Sequence, residues 1–131
     1  MTVELNMLVA STALLFVLIM IAAQARISSE GLAAMAGNRD ELGPPTGFAG
    51  RAQRTVDNHI EGLVMFGSFV LVAVAAHRTN SWTALGAQIY FFARLAHAGL
   101  YLFGVPGLRS VAFMAGVAGM ALIFLSDVGV L

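Results

Sequence analysis

Arg54-Thr55-Val56-Asp57-Asn58-His59-Ile60-Glu61 leads directly into the apolar run Gly62–Ala76, and the fold is decided at that junction. The run alone has 15 residues, whereas a helix crossing the hydrocarbon core needs about 20. The helix must therefore draw part of the stripe Arg54, Asp57, Asn58, Glu61 into or against the bilayer. There an ionisable side chain costs roughly 2.5–3.5 kcal/mol or more unless it is partnered. Acid, base and amide kept together at such depth point to a use for them.

The composition agrees that lipid is the solvent. Of 131 residues, 59% are hydrophobic and 11% charged, with mean hydropathy +0.84, well outside the range of an ordinary soluble domain. The length suits one domain. A net charge of zero leaves no basic field to attract nucleic acid. All seven basic residues are Arg. A planar fork suits carboxylate or phosphate in a partly dry site, although a GC-rich genome skews the count the same way. With no Cys, disulfides, thiolate metal sites and a protein thiol nucleophile are excluded. Sulfur chemistry would have to come from a ligand, and no metal site is expected.

Four apolar stretches read as transmembrane helices, roughly 3–25, 54–76, 82–103 and 108–125. The expectation is an all-α membrane protein, one antiparallel four-helix domain. The first stretch lacks a basic leader and is long enough to span, so it is not read as a cleaved signal peptide. The connection 28–50 contains the breaker Gly43-Pro44-Pro45. The links His77–Ser81 and Gly104–Gly107 are short, which makes neighbouring helices antiparallel. Arg26, Arg39, Arg51 and Arg54 flank the first connection and Arg109 the third, against Arg78 alone on the other side. That bias places 28–50 and 104–107 in the cytoplasm and both termini outside. Trp82 falls at the outer interface, and Ala112, Ala115, Gly116 and Gly119 permit close helix contact.

Helical geometry gathers the polar groups. Arg54, Asp57, Asn58 and Glu61 follow i, i+3, i+4, i+7 and share one face of the second span. Tyr90, Arg94, His97 and Tyr101 follow i, i+4, i+7, i+11 on the third. Counting 16 positions each way from the intervening link puts Glu61 level with His97 and within one turn of Arg94. Arg94, deep in its span, needs a carboxylate partner, and Glu61 is the expected one. Arg26 and Arg109 close the cytoplasmic side of a pocket suited to a small anion bearing carboxylates, beside an apolar surface for a lipophilic co-substrate.

Taken singly, these residues have plainer readings. Glu61 and Arg94 make a structural ion pair, His97 an interior imidazole, and Tyr101 an interfacial belt residue. Arg26, Arg51 and Arg109 serve as topogenic or snorkelling charges. Arg39, Asp40 and Glu41 form a solvated loop face. Only the joint spacing lifts the functional reading.

That spacing resembles MAPEG, the membrane-associated proteins in eicosanoid and glutathione metabolism. The likeness runs from about Arg26 to Phe124 and rests on Arg54-x-x-x-Asn58-x-x-Glu61 and Phe92-Ala93-Arg94-Leu95-Ala96-His97-x-x-x-Tyr101, with Gln24-Ala25-Arg26 and Arg109-Ser110 at its ends. The resemblance implies a homotrimer binding glutathione between subunits. Arg26 would come from one subunit, with Arg54, Asn58, Glu61, Arg94, His97 and Tyr101 from the next, and Arg109 and Ser110 would act on the thiol. Two positions depart from the family: Gly62 stands where some members have an aromatic residue, and Asp57 where others carry a basic one.

The function expected from the resemblance is a glutathione-dependent transferase, peroxidase or isomerase acting on a lipophilic electrophile in a bacterial inner membrane. Its partners would be further copies of itself, membrane lipid and that lipophilic substrate. The alternatives are a non-catalytic membrane trimer binding lipid or another small anion, and a four-span cation exporter. The basic neighbours of Glu61 weigh against the exporter.

Overall fold

The first helix starts where the Thr2 hydroxyl accepts the Leu5 N–H, at 3.3 Å, one of the donors a helix start leaves unpaired. In the computed structural model, which describes all of residues 1–131, α1 then runs Val3–Glu30 and stops at Gly31, whose φ is +91°. The helix continues past Ala25, where the apolar run ends, and in this added stretch Arg26 and Glu30, spaced i, i+4, pair at 3.7 Å. A short helix, α2 (Leu32–Ala36), occupies part of the connection between the first two spans. Gly43-Pro44-Pro45 breaks the chain as anticipated.

α3 (Gly47–Ala75) begins seven residues before Arg54, so the polar stripe sits inside a long helix rather than at its start. α4 (Ser81–Leu102) opens on a reciprocal cap: the Asn80 side chain accepts from Trp82 and Thr83, and the Thr83 hydroxyl accepts from the Asn80 N–H. α5 (Pro106–Asp127) uses Pro106 as its first helical residue, where a missing N–H costs nothing. Two Arg side chains cap C-termini: Arg51 donates to the Leu102 carbonyl at 3.1 Å and Arg78 to that of Asp127 at 3.0 Å.

By length and composition α1, α3 and α5 are able to cross a membrane, which marks an integral membrane protein. α4 is long enough but carries the stripe Tyr90, Arg94, His97, Tyr101 and is less apolar. It is also the helix with most protein around it, packing against α1, α3 and α5.

The closest approach is between α4 and α5. A Cβ on Gly86 would lie 2.5 Å from the Gly119 carbonyl oxygen, and one on Gly119 would lie 2.6 Å from that of Gly86. Small residues at the expected positions Ala112, Gly116 and Gly119 are buried there. Two apolar clusters fill the bundle. One joins Phe66, Val70, Ala73, Ala87, Tyr90 and Ile123, with Phe66 and Tyr90 stacked at 3.9 Å. The other joins Leu18, Ala22, Ala52, Val56 and Ala98. Near the opposite end the Thr83 hydroxyl donates to the buried carboxylate of Glu4, tying the start of α1 to that of α4.

Because backbone blocks both glycines, Gly119→Ala should destabilise the purified protein by about 1–3 kcal/mol, the usual range for overpacking. Gly107→Ala, which meets nothing within 4 Å, should leave the unfolding midpoint in mild detergent where it was. Equal midpoints for the two variants would show that the α4–α5 contact is loose.

Candidate functional site

On α3 the residues turned to α4 are Thr55, His59, Gly62 and Phe66, all buried, at the spacing i, i+4, i+7, i+11 of one helical face. The polar stripe lies about 100° round the helix from them. Arg54, Asp57 and Glu61 are therefore exposed in the single chain, and Asn58 alone is half-buried. Asp57 is held by Gln53 along the helix, at 3.0 Å.

Arg94 occupies the layer between the two apolar clusters and is 3% exposed. Its Nη2 donates to Asn58 Oδ1 at 2.5 Å and lies 3.2 Å from His59 Nδ1. His59 Nε2 lies 3.2 Å from the Arg94 carbonyl oxygen. His59 Nδ1 also lies 3.1 Å from the Thr55 carbonyl oxygen, so the ring bridges the α3 backbone to both the main chain and the side chain of Arg94. The expected Glu61–Arg94 ion pair does not form; Arg26–Glu30 is the one salt bridge in the chain. The depth estimate placed Glu61 near Arg94, but Asn58, His59 and Gly62 are the residues that face it. The register is also displaced, with His59 rather than Glu61 beside His97, the rings 5.9 Å apart.

From Arg94 the polar residues continue towards the end of the bundle where α4 finishes and α5 begins. The rings of His97 and Tyr101 meet edge-on at 5.6 Å, and the Arg109 guanidinium lies over Tyr101 at 4.3 Å. His97 is buried and its Nδ1 has no hydrogen-bond partner. Ser110 bonds back to the Pro106 carbonyl at 3.4 Å. The structure thus gathers Asn58, Arg94, His97, Tyr101 and Arg109, with Glu61 at the rim of a cavity that Asn58 and Arg94 also line.

Arg26 is elsewhere. It donates to the Gly43 carbonyl at 2.6 Å and lines a separate cleft of about 400 Å³ with Arg39, Pro45 and Gln53. An apolar groove of about 760 Å³ along α1 adjoins that cleft at Ala49 and includes Phe16, Val17 and Met20. His59 and Gln53 are the residues that motif reasoning passes over. His59 belongs to a stripe of mixed small, aromatic and hydroxyl side chains that is not recognisable by polarity, although its spacing with Gly62 and Phe66 is that of a buried face.

A family model, the MAPEG family, matches residues 6–127 of the chain. The chain belongs to the MAPEG family. No curated protein and no solved structure matches it. Family membership agrees with an integral membrane protein related to glutathione or eicosanoid metabolism. It also covers the connection from α1 to α3 that carries Arg39 and Pro45, so this part of the MAPEG chain is inside the match.

The contact Asn58–Arg94 joins a charged donor to a neutral acceptor in the bundle interior. Its loss in Asn58→Ala should cost about 1.5–3 kcal/mol. In double-mutant cycles read by unfolding in detergent, Asn58 and Arg94 should couple by more than about 0.5 kcal/mol, while Glu61 and Arg94 stay additive within that margin. Strong Glu61–Arg94 coupling with none to Asn58 would contradict this geometry.

Proposed function

We propose that the protein is a homotrimeric, four-span glutathione-dependent enzyme that adds the glutathione thiolate to a lipophilic electrophile. One observation carries this reading. Arg54, Asp57 and Glu61 lie exposed on a helix apolar enough to cross a membrane, while Arg26 lines a different cleft of the same chain. Charges facing hydrocarbon cost several kcal/mol, so that flank of α3 requires a cover. A second copy supplies one and sets its Arg26 cleft against the stripe of the first.

In the joined site Arg26 and Arg54 would hold carboxylates as planar forks, Glu61 the glutathione ammonium, and Asn58 a peptide group. Arg94 works from inside, fixing Asn58. His97 and Tyr101 border the site next to Arg109. Arg109 lies in the first turn of α5, where the helix adds partial positive charge, and it favours the thiolate of a thiol whose ordinary pKa is about 8.5. The sulfur lone pair forms a bond to the electrophilic carbon, and the electron pair displaced there leaves with the leaving group or is protonated. Ser110 would add a hydroxyl hydrogen bond to the sulfur after rotating away from Pro106. The groove along α1 suits the lipophilic partner, with 28–50 and 104–107 in the cytoplasm of a bacterial cell and both termini outside its inner membrane.

Asp57 favours a second reading. It adds negative charge to the same exposed flank, which weakens the pull on an anionic tripeptide and so favours a non-catalytic trimer that binds lipid. Glutathione should raise the unfolding midpoint of the purified protein, and native mass spectrometry in mild detergent should show three chains. A monomer, or no response to glutathione, would remove the intersubunit site.

The role of Arg109 is tested separately. Arg109→Ala should keep most glutathione affinity but lose the ultraviolet thiolate absorbance and most conjugation of a model electrophile at pH 7. Because the unassisted thiol ionises near its ordinary pKa of about 8.5, activity should partly return as pH rises towards that value. Normal turnover at pH 7 would make Arg109 a topogenic charge.

A further inference from the structure

Arg94 is buried, yet no carboxylate pairs with it. Its Nη2 is bonded to the neutral Asn58 and lies against the ring of His59, while its Nε is sealed from solvent and has no acceptor in the chain. A buried guanidinium without a counter-charge is costly. A cavity of about 120 Å³ lies against it, enclosed by α3, α4 and α5. At about 30 Å³ for a water molecule, that is room for a few waters or for one small ion with water.

The geometry of Gly62 gives the cavity a focus. A Cβ at Gly62 would stand 2.8 Å from the Tyr90 hydroxyl and 3.8 Å from both Nε and Cζ of Arg94. The missing side chain lets the Tyr90 hydroxyl come down beside Gly62, so that an O–H donor and the unsatisfied Nε–H belong to two side chains that both line the cavity. Gly116 borders the same space from α5, where an added Cβ would stand 3.3 Å from Arg94 Cδ. Donors converge there, and Phe113, Val117 and Met120 exclude bulk water from the other walls. Glu61 is the one carboxylate at the rim. It is exposed and does not pair with Arg94, and its charge, with the small volume, disfavours a divalent oxyanion.

We infer that this cavity binds one small monovalent anion of the halide class, held by Arg94 Nε–H and Tyr90 O–H above Gly62. The ion supplies the counter-charge that Arg94 lacks and steadies the junction of the three helices. This holds whether or not the protein uses glutathione.

The test is thermal unfolding of the full chain in mild detergent, with sodium chloride or bromide exchanged for sodium gluconate at constant ionic strength. Chloride and bromide should raise the midpoint saturably, as a ligand of the folded state does. Tyr90→Phe keeps the ring stacked on Phe66 and removes one hydrogen bond to a charge, so the half-saturating concentration should rise at least about tenfold. Gly116→Ala narrows the cavity from α5, its Cβ meeting the aliphatic stem of Arg94 rather than its N–H groups, and should abolish the response while the protein still folds; it decides the matter if Tyr90→Phe does not. Anomalous scattering from a bromide-soaked crystal should place the ion beside Gly62. An equal midpoint in gluconate, an unchanged response in Gly116→Ala, or bromide found only elsewhere would each overturn the inference and leave water in the cavity.

Discussion

A guanidinium kept among three helices is the constraint on which the rest of this structure depends. Arg94 sits between the two apolar clusters, and each helix around it is shaped by that fact. α3 supplies Asn58 and His59 as hydrogen-bond partners and Gly62 as space. α5 supplies Gly116, whose missing side chain lets the Arg94 stem lie against its backbone. His59 also binds the carbonyl of Arg94 itself, so the charge is gripped through both side chain and main chain. Removing any one of these would leave polar atoms buried without partners, which costs more than the bond they make.

The same constraint explains the position of α4. A helix with Tyr90, Arg94, His97 and Tyr101 on one face is a poor lipid-facing element. Surrounding it with α1, α3 and α5 turns that face towards protein. The crossing at Gly86 and Gly119 brings α5 close enough to seal one side, and the Glu4–Thr83 bond fixes α1 against the start of the helix. Apolar area does not hold α4 in place alone; close backbone approach and a few interior hydrogen bonds do so where lipid gives little hydrophobic preference between helices.

Much of this was legible in the residues. The α4 stripe at i, i+4, i+7, i+11 lies on one face as spaced, and Ala112, Gly116 and Gly119 pack as small residues should. The polar stripe of α3 was legible as a stripe but not as an orientation. Polarity marks both what faces a protein interior and what faces outwards, and here the inward stripe includes Thr55, His59 and Gly62. The two possibilities differ by one residue, about 100° of rotation. The mirrored depth count assumed a symmetric link, whereas α3 ends at Ala75 and His77 turns the chain with φ +55°. Helix ends fell at local signals, Gly31 with φ +91° closing α1 and Pro106 opening α5 as its first helical residue.

Gly62 shows how one position ties these levels together. By the resemblance some members of the family have an aromatic residue there, and Gly62 departs from that pattern. In the structure the place of that side chain is claimed by the Tyr90 hydroxyl, 2.8 Å from where a Cβ would stand. Tyr90 cannot easily yield, because its ring is stacked on Phe66 at 3.9 Å inside the larger apolar cluster. Glycine at 62 and tyrosine at 90 are thus one choice made on two helices. A bulky side chain on α3 requires a small or differently aimed one on α4, and the phenol brought in from α4 places an O–H donor beside Arg94 that an aromatic hydrocarbon on α3 would lack. The Tyr90 hydroxyl beside Gly62 leaves the space next to Arg94 with more hydrogen-bond donors than the chain has acceptors to meet.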